Sequence, residues 1–156
     1  MQTLPEGSIA PSFTLLNQDG HTVSLNQYKN KQNVLIYFYP KAMTPGCTTQ
    51  AKELSKIKDY LISKNTIILG ISPDNTQRLK KFEIRDDLTI QLLGDEDHSV
   101  ANNYGVWGQK KFMGKTYNGI HRISFFIDMN GNIEKVFKNF KAKNHHEVVL
   151  EYINRP

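Results

Sequence analysis

The chain has 156 residues and 17.9 kDa, with 38% hydrophobic and 22% charged residues, a length and balance that suit one globular domain spanning 1–156 rather than two. A single cysteine, Cys47, excludes an internal disulfide and any zinc site built on several thiolates, and points to a reducing, cytoplasmic compartment. The formal charge of +5 invites a nucleic-acid reading, but the lysines are scattered from Lys29 to Lys141 and no helix gathers them on one face with interleaved aromatics. The expectation is a diffusely basic, solvated surface that favours small anions, with no nucleic-acid partner.

Met1 to Glu6 lacks the basic start and apolar stretch of a secretory leader, and the longest apolar run, Val34 to Tyr39, is far short of the roughly 20 residues of a membrane span. No leader and no membrane partner are expected. Phe13 to Leu16 and Thr22 to Ser24 flank Asp19-Gly20, a turn signal that makes them an amino-terminal hairpin. Asn33 to Tyr39 is too apolar to be half exposed and too short for a helix, so it reads as a central strand covered on both faces and ended by Pro40.

Thr44 followed by Pro45 reads as an N-cap and first helical position. Ala51, Leu54, Ile57 and Leu61 then recur at helical spacing, placing Cys47 in the first turn. Thr66 to Ser72 is a second buried strand, Asp74 to Arg85 a helix with Leu79 and Phe82 inward, Thr89 to Leu93 a short strand, and His98 to Tyr104 a short helix. Ile123 to Asp128 and Ile133 to Phe137 flank Asn130-Gly131, a hairpin signal, and Asn144 to Asn154 closes the chain as a helix. This order predicts an α/β, thioredoxin-like fold: a central mixed sheet with helices on both faces and an amino-terminal hairpin. Sites in such sheets form at the carboxyl ends of strands.

A lone cysteine is by default a small buried hydrophobe. Cys47 differs because it follows a central strand's carboxyl end and opens a helix, where free amides and the helix dipole favour the thiolate. The residue three before it in Thr44-Pro45-Gly46-Cys47 is a threonine, not a second cysteine, so disulfide exchange within a Cys-x-x-Cys pair is excluded. A hydroxyl there can hydrogen-bond the thiolate or a bound oxygen substrate instead.

Reading back to Pro40 gives Pro40-x-x-x-Thr44-x-x-Cys47, which resembles the peroxiredoxin signature. The wider stretch Tyr37-Phe38-Tyr39-Pro40-Lys41-Ala42-Met43-Thr44-Pro45-Gly46-Cys47-Thr48 is similar to the Q-type, or bacterioferritin-comigratory-protein, branch. Gly70-Ile71-Ser72, Asp95-Glu96-Asp97-His98, Tyr104-Gly105-Val106-Trp107-Gly108 and Gly119 to Phe125 resemble it in the same order. Arg122, just before an apolar strand ending in Ile127-Asp128, resembles the family's arginine.

The resemblance implies a thiol-dependent peroxidase that reduces hydrogen peroxide or organic hydroperoxides, with no cofactor. Cys47 thiolate would attack one peroxide oxygen and become a sulfenic acid. Thr44, the amides near Cys47 and the Arg122 fork would hold the two oxygens while charge moves to the leaving one, and Pro40 would shield the sulfenate from water. Many Q-type relatives carry a resolving cysteine five residues after the first. Here that position is Lys52, so regeneration would need an external thiol (thioredoxin, glutaredoxin or glutathione) or Cys47 of a second molecule, in a chain expected to be monomeric. The alternative is a thioredoxin-fold redox sensor or holdase that no longer turns over.

Weaker signals lead elsewhere. Gly108 to Gly114-Lys115-Thr116 resembles a phosphate-binding loop, but five residues separate the glycines where four are required, and turn-forming Tyr117-Asn118-Gly119 follows instead of a helix. The Asp95-Glu96-Asp97-His98 run reads as a helix cap rather than a metal site, and His145-His146 as a solvated helix start.

Overall fold

The computed structural model describes all of residues 1–156. In chain order the elements are β1 (Thr14–Asn17), β2 (Thr22–Ser24), β3 (Asn33–Phe38), α1 (Pro45–Ser63), β4 (Thr66–Ser72), α2 (Thr76–Asp86), β5 (Gln91–Gly94), α3 (Ser99–Tyr104), β6 (Trp107–Phe112), β7 (Lys115–Ile120), β8 (Ser124–Ile127), β9 (Ile133–Phe137) and α4 (His145–Ile153). Seven of the strands form one sheet in the order β2-β1-β5-β4-β3-β8-β9. Strands β3, β4 and β5 run parallel, while β8, β9, β1 and β2 add antiparallel pairs outside them. The sheet is therefore mixed, and the expected amino-terminal hairpin forms one of its edges.

The apolar run in β3 has a direct consequence. Successive side chains of a strand point to opposite faces. Val34, Ile36 and Phe38 join one buried cluster and Leu35, Tyr37 and Tyr39 the other. The second cluster is roofed by α1, α2 and α4, through residues such as Ala51, Leu54, Leu79, Phe82 and Val149, and it contains Cys47. The first is closed by α3, through Val100, Ala101 and Tyr104, and by the amino-terminal segments. Helices thus lie on both faces, with three on the side of the cysteine.

Several expectations need correction. Asp74 lies outside α2, which starts at Thr76 behind the Asn75 cap; the Asn75 side chain accepts the Arg78 amide at 2.8 Å. Strand β5 sits two residues later than Thr89. The stretch Tyr117-Asn118-Gly119 forms no turn. It belongs to β7, paired with β6 in a separate two-stranded ribbon in which Lys110 faces Tyr117 and Phe112 faces Lys115. The chain turns at Met113-Gly114 instead, where both residues have positive φ, 52° and 77°. This is the backbone hand that matches a two-residue hairpin loop.

His145, read as solvated, is fully buried, and its Nε2 shares a 2.8 Å hydrogen bond with the Ser124 hydroxyl of β8. The acidic run behaves as a cap: the Asp95 carboxylate accepts the amides of Val100 at 3.2 Å and Ala101 at 2.9 Å. Gly105, with φ +70°, ends α3 where a Cβ would fall 1.9 Å from the Gln2 carbonyl oxygen, so no other residue fits there.

Candidate active site

Strand β3 delivers the chain to a loop, Pro40–Thr44, that turns back into α1. The loop is clamped by Asp74, just before α2, and by arginines of α2. The Asp74 carboxylate, fixed by the Ser72 hydroxyl at 2.7 Å and Arg78 Nε at 2.9 Å, accepts the Ala42 amide at 2.8 Å. The Arg78 Nη2 donates to the Ala42 carbonyl at 2.8 Å, so both backbone groups of Ala42 are held. Arg85 Nη2 reaches the Thr48 hydroxyl at 2.8 Å on the first turn of α1. The helix start is therefore positioned by long-range polar contacts as well as by its own sequence.

Pro45 occupies the first helical position, and Thr44 stands at the N-cap with an extended backbone, φ −81° and ψ 157°. The position is the expected one but the hydroxyl is used differently. Thr44 Oγ1 donates to the Lys41 carbonyl at 2.8 Å and caps no helix amide. The first-turn amides, which have no partner within a helix, are therefore left uncapped by a side chain, beside Cys47.

Cys47 lies in that first turn, only 1% exposed, packed with Tyr37, Tyr39, Ala42 and Ala51. Arg122, on the short connection between β7 and β8, donates from Nη2 to Cys47 Sγ at 3.1 Å and from Nη1 to Gln50 Oε1 at 2.8 Å. Residues three apart on a helix share a face, so Cys47 and Gln50 present sulfur and oxygen together to the two guanidinium nitrogens. Gln50 escaped the sequence reading, although its spacing from Cys47 was the available signal. Gly46 completes the cradle, since a Cβ there would come within 3.0 Å of Arg122 Nη2.

Of the four residues expected at the site, Cys47 and Arg122 are in direct contact. Thr44 is at the turn before the sulfur, engaged with Lys41, and Pro40 stands half buried at the loop's start. Burial holds the Tyr37 phenol neutral well above its ordinary range, with the neighbouring Tyr39 and Cys47 acting in the same direction. Burial, with His146 and Arg122 adding to it, presses the His145 imidazole down to about 3. Tyr37 and His145 are thus both neutral at working pH. Outside, Pro45, Gly46 and Thr49 line a cleft shared with Lys141, Ala142 and Lys143, which gives this rim positive charge.

The sequence model of the AhpC/TSA family matches residues 7–136. Peroxiredoxin Bcp of Escherichia coli is 53% identical over 153 residues, which cover 98% of this chain and 97% of that protein. Among solved structures, PrxQ of Xylella fastidiosa superposes with a TM-score of 0.90 at 25% identity, covering 98% of this chain and 97% of that one. The bacterioferritin comigratory protein of Xanthomonas campestris, described in connection with alkyl peroxide reduction, superposes with a TM-score of 0.87 at 25% identity, covering 97% of each chain.

Proposed function

The chain belongs to the AhpC/TSA family as a peroxiredoxin of the bacterioferritin-comigratory type, and on that footing we propose that Cys47 is the residue that reduces the peroxide. The observation that carries this reading is the 3.1 Å contact between the Arg122 guanidinium and Cys47 Sγ, with the same guanidinium anchored on Gln50. The guanidinium is a permanent cation fixed at the sulfur, where the attacking atom and the bound oxygens share negative charge. The thiolate attacks one oxygen of hydrogen peroxide or an organic hydroperoxide, the O–O bond breaks, and water or an alcohol leaves with the electron pair and a proton. Cys47 is left as the sulfenic acid.

Negative charge passes from sulfur to the leaving oxygen during this step. Donors already aimed at the site lower the barrier without having to reorganise. Arg122 and the uncapped first-turn amides meet that need, and Thr44 can join if its hydroxyl turns from the Lys41 carbonyl toward a bound oxygen. Pro40 covers the sulfenic acid from bulk water. The single cysteine of the sequence supports a one-cysteine cycle, in which an external thiol (thioredoxin, glutaredoxin or glutathione) restores Cys47. One domain acting as a monomer in the cytoplasm, as an antioxidant, completes the reading.

The test is peroxide consumption with excess dithiothreitol. Sustained turnover by the wild type and none by Cys47→Ser supports the proposal, whereas a single equivalent consumed by the wild type overturns it in favour of a sensor.

A further inference from the structure

We propose that the β6–β7 ribbon is the docking surface for an acidic protein that carries the reducing dithiol. This rests on the reading that the Cys47 sulfenic acid is reduced from outside. Residues directly opposite in an antiparallel pair, and residues two apart in a strand, share a face. Lys110 opposite Tyr117 and Phe112 opposite Lys115 therefore form one face of the ribbon. Phe112 is 65% exposed, Tyr117 49% and Met113 at the tip 86%, three large exposed apolar side chains on one short ribbon.

The stretch of chain that carries them has charge of one sign. Between Asp97 and Asp128 the chain has no Asp or Glu, while Lys110, Lys111, Lys115 and Arg122 all fall in that stretch. The base of this face is also the rim of the site. Lys110 Nζ donates to the Ile120 carbonyl at 2.8 Å, two residues before Arg122. Its ammonium is shifted down by burial first and by Arg122 next, with Cys47 acting in the opposite sense. From Ile120 to Lys115 the strand extends about 16 Å, so a partner reaching Cys47 and the ribbon tip together covers a patch of ordinary protein-interface size.

Charge and apolar surface together select among three occupants. A second copy of this chain brings +5 of its own and the same basic ribbon, so like charges oppose self-association through this face. A small thiol has no use for an apolar tip so far from the sulfur. A protein with a negative surface around its dithiol meets both the lysines and the aromatic side chains. Its first thiol attacks the sulfenic sulfur, releasing water and forming a mixed disulfide with Cys47. Its second thiol then displaces Cys47 as the free thiol and leaves the partner oxidised to its disulfide.

The experiment compares two reductants, a reduced thioredoxin of net negative charge and dithiothreitol, on the wild type, the double variant Phe112→Ser/Lys115→Glu, and Lys64→Glu as a charge-matched control far from the ribbon. Removing steering charge and an anchor lowers kcat/KM for the thioredoxin by about tenfold or more and flattens its salt dependence, while dithiothreitol-driven turnover and the Lys64→Glu control stay within about twofold. Lys115→Glu alone, at an exposed strand end, gives an intermediate loss and guards against misfolding of the double variant. Equal losses with both reductants, or no loss with the thioredoxin, overturns the proposal. Absence of dithiothreitol turnover in the wild type would instead be a failure of the peroxidase reading itself.

Discussion

Replacing Lys52 by cysteine puts a second thiol at the position where Q-type relatives resolve the sulfenic acid, and the structure sets what the chain must do to use it. Helix α1 runs from Pro45 to Ser63 and contains both positions. Five residues in a regular helix advance about 7.5 Å and rotate about 140°, which with a Cα radius near 2.3 Å separates the Cα atoms by roughly 8.7 Å. A disulfide needs about 7 Å or less with the side chains turned together. Cys47 is moreover buried against the sheet, whereas Lys52 is exposed. Bridging therefore requires the first turns to unwind, breaking the 3.1 Å contact with Arg122 and helix bonds such as Thr48 N–H to the Thr44 carbonyl at 2.9 Å. The expected outcome for Lys52→Cys after one equivalent of peroxide is a Cys47 link to the new cysteine in non-reducing peptide maps. Amide exchange across Thr44 to Glu53 is expected to be faster in the oxidised than in the reduced form. A disulfide formed with unchanged exchange would refute the reasoning, because a regular helix cannot accommodate it. Failure to form any disulfide would mean that the clamp from Asp74, Arg78 and Arg85 holds this segment too firmly to open.

Other expectations follow from the same geometry. Arg122→Lys offers one ammonium where two guanidinium nitrogens serve Cys47 and Gln50, so single-turnover oxidation should slow by about 10²-fold; an unchanged rate removes Arg122 from the chemistry. Gly46→Ala should push the guanidinium by a few tenths of an ångström, slowing oxidation by roughly tenfold, while stability holds or rises by up to about 1 kcal/mol from better helix propensity. Stopped-flow oxidation and urea midpoints on one preparation check the pair, and a parallel fall in both would count against it. His145, held down to about 3, stays neutral in the folded state over a range where the unfolded chain takes up a proton. Stability should therefore be level above about pH 6.5 and fall by about 1.4 kcal/mol for each unit below it, down to about pH 3. Urea midpoints for wild type and His145→Gln between pH 7 and pH 4 measure this, and an equally steep decline in the variant would contradict it.

What the sequence disclosed depended on burial. The apolar run of β3 and the Asn130-Gly131 hairpin were legible because those strands lie in a sheet covered by helices, which imposes apolar patterns on them. The ribbon of β6 and β7 was not, since its outer residues are polar or exposed and obey no burial rule, and its turn is Met113-Gly114 rather than a familiar Asn-Gly. His145 stands beside the polar His146 at a helix start, a local pattern of solvated residues, yet its four-residue spacing from the buried Val149 marks the inward face of α4. At the candidate site, Cys47 was legible from its place between a strand's end and a helix start, Arg122 only from a motif resemblance, and the structure supplied their contact. The N-cap position of Thr44 was legible but its bond to Lys41 was not, because a hydroxyl can donate as well as accept. The clamp on Ala42 by Asp74 and Arg78 joins residues more than thirty positions apart, a relation that local pattern cannot carry.

The central claim is that Cys47 is the sulfur that takes the peroxide oxygen, and trapping that product tests it most directly. The protein is mixed with one equivalent of hydrogen peroxide in the presence of dimedone, which adds to sulfenic acids, and the peptide spanning Thr44 to Lys52 is analysed by mass spectrometry. A stoichiometric adduct on Cys47, formed at the rate at which peroxide disappears and slowed in Arg122→Lys, is the result this account predicts. Peroxide consumption with Cys47 recovered as an unmodified thiol would contradict it.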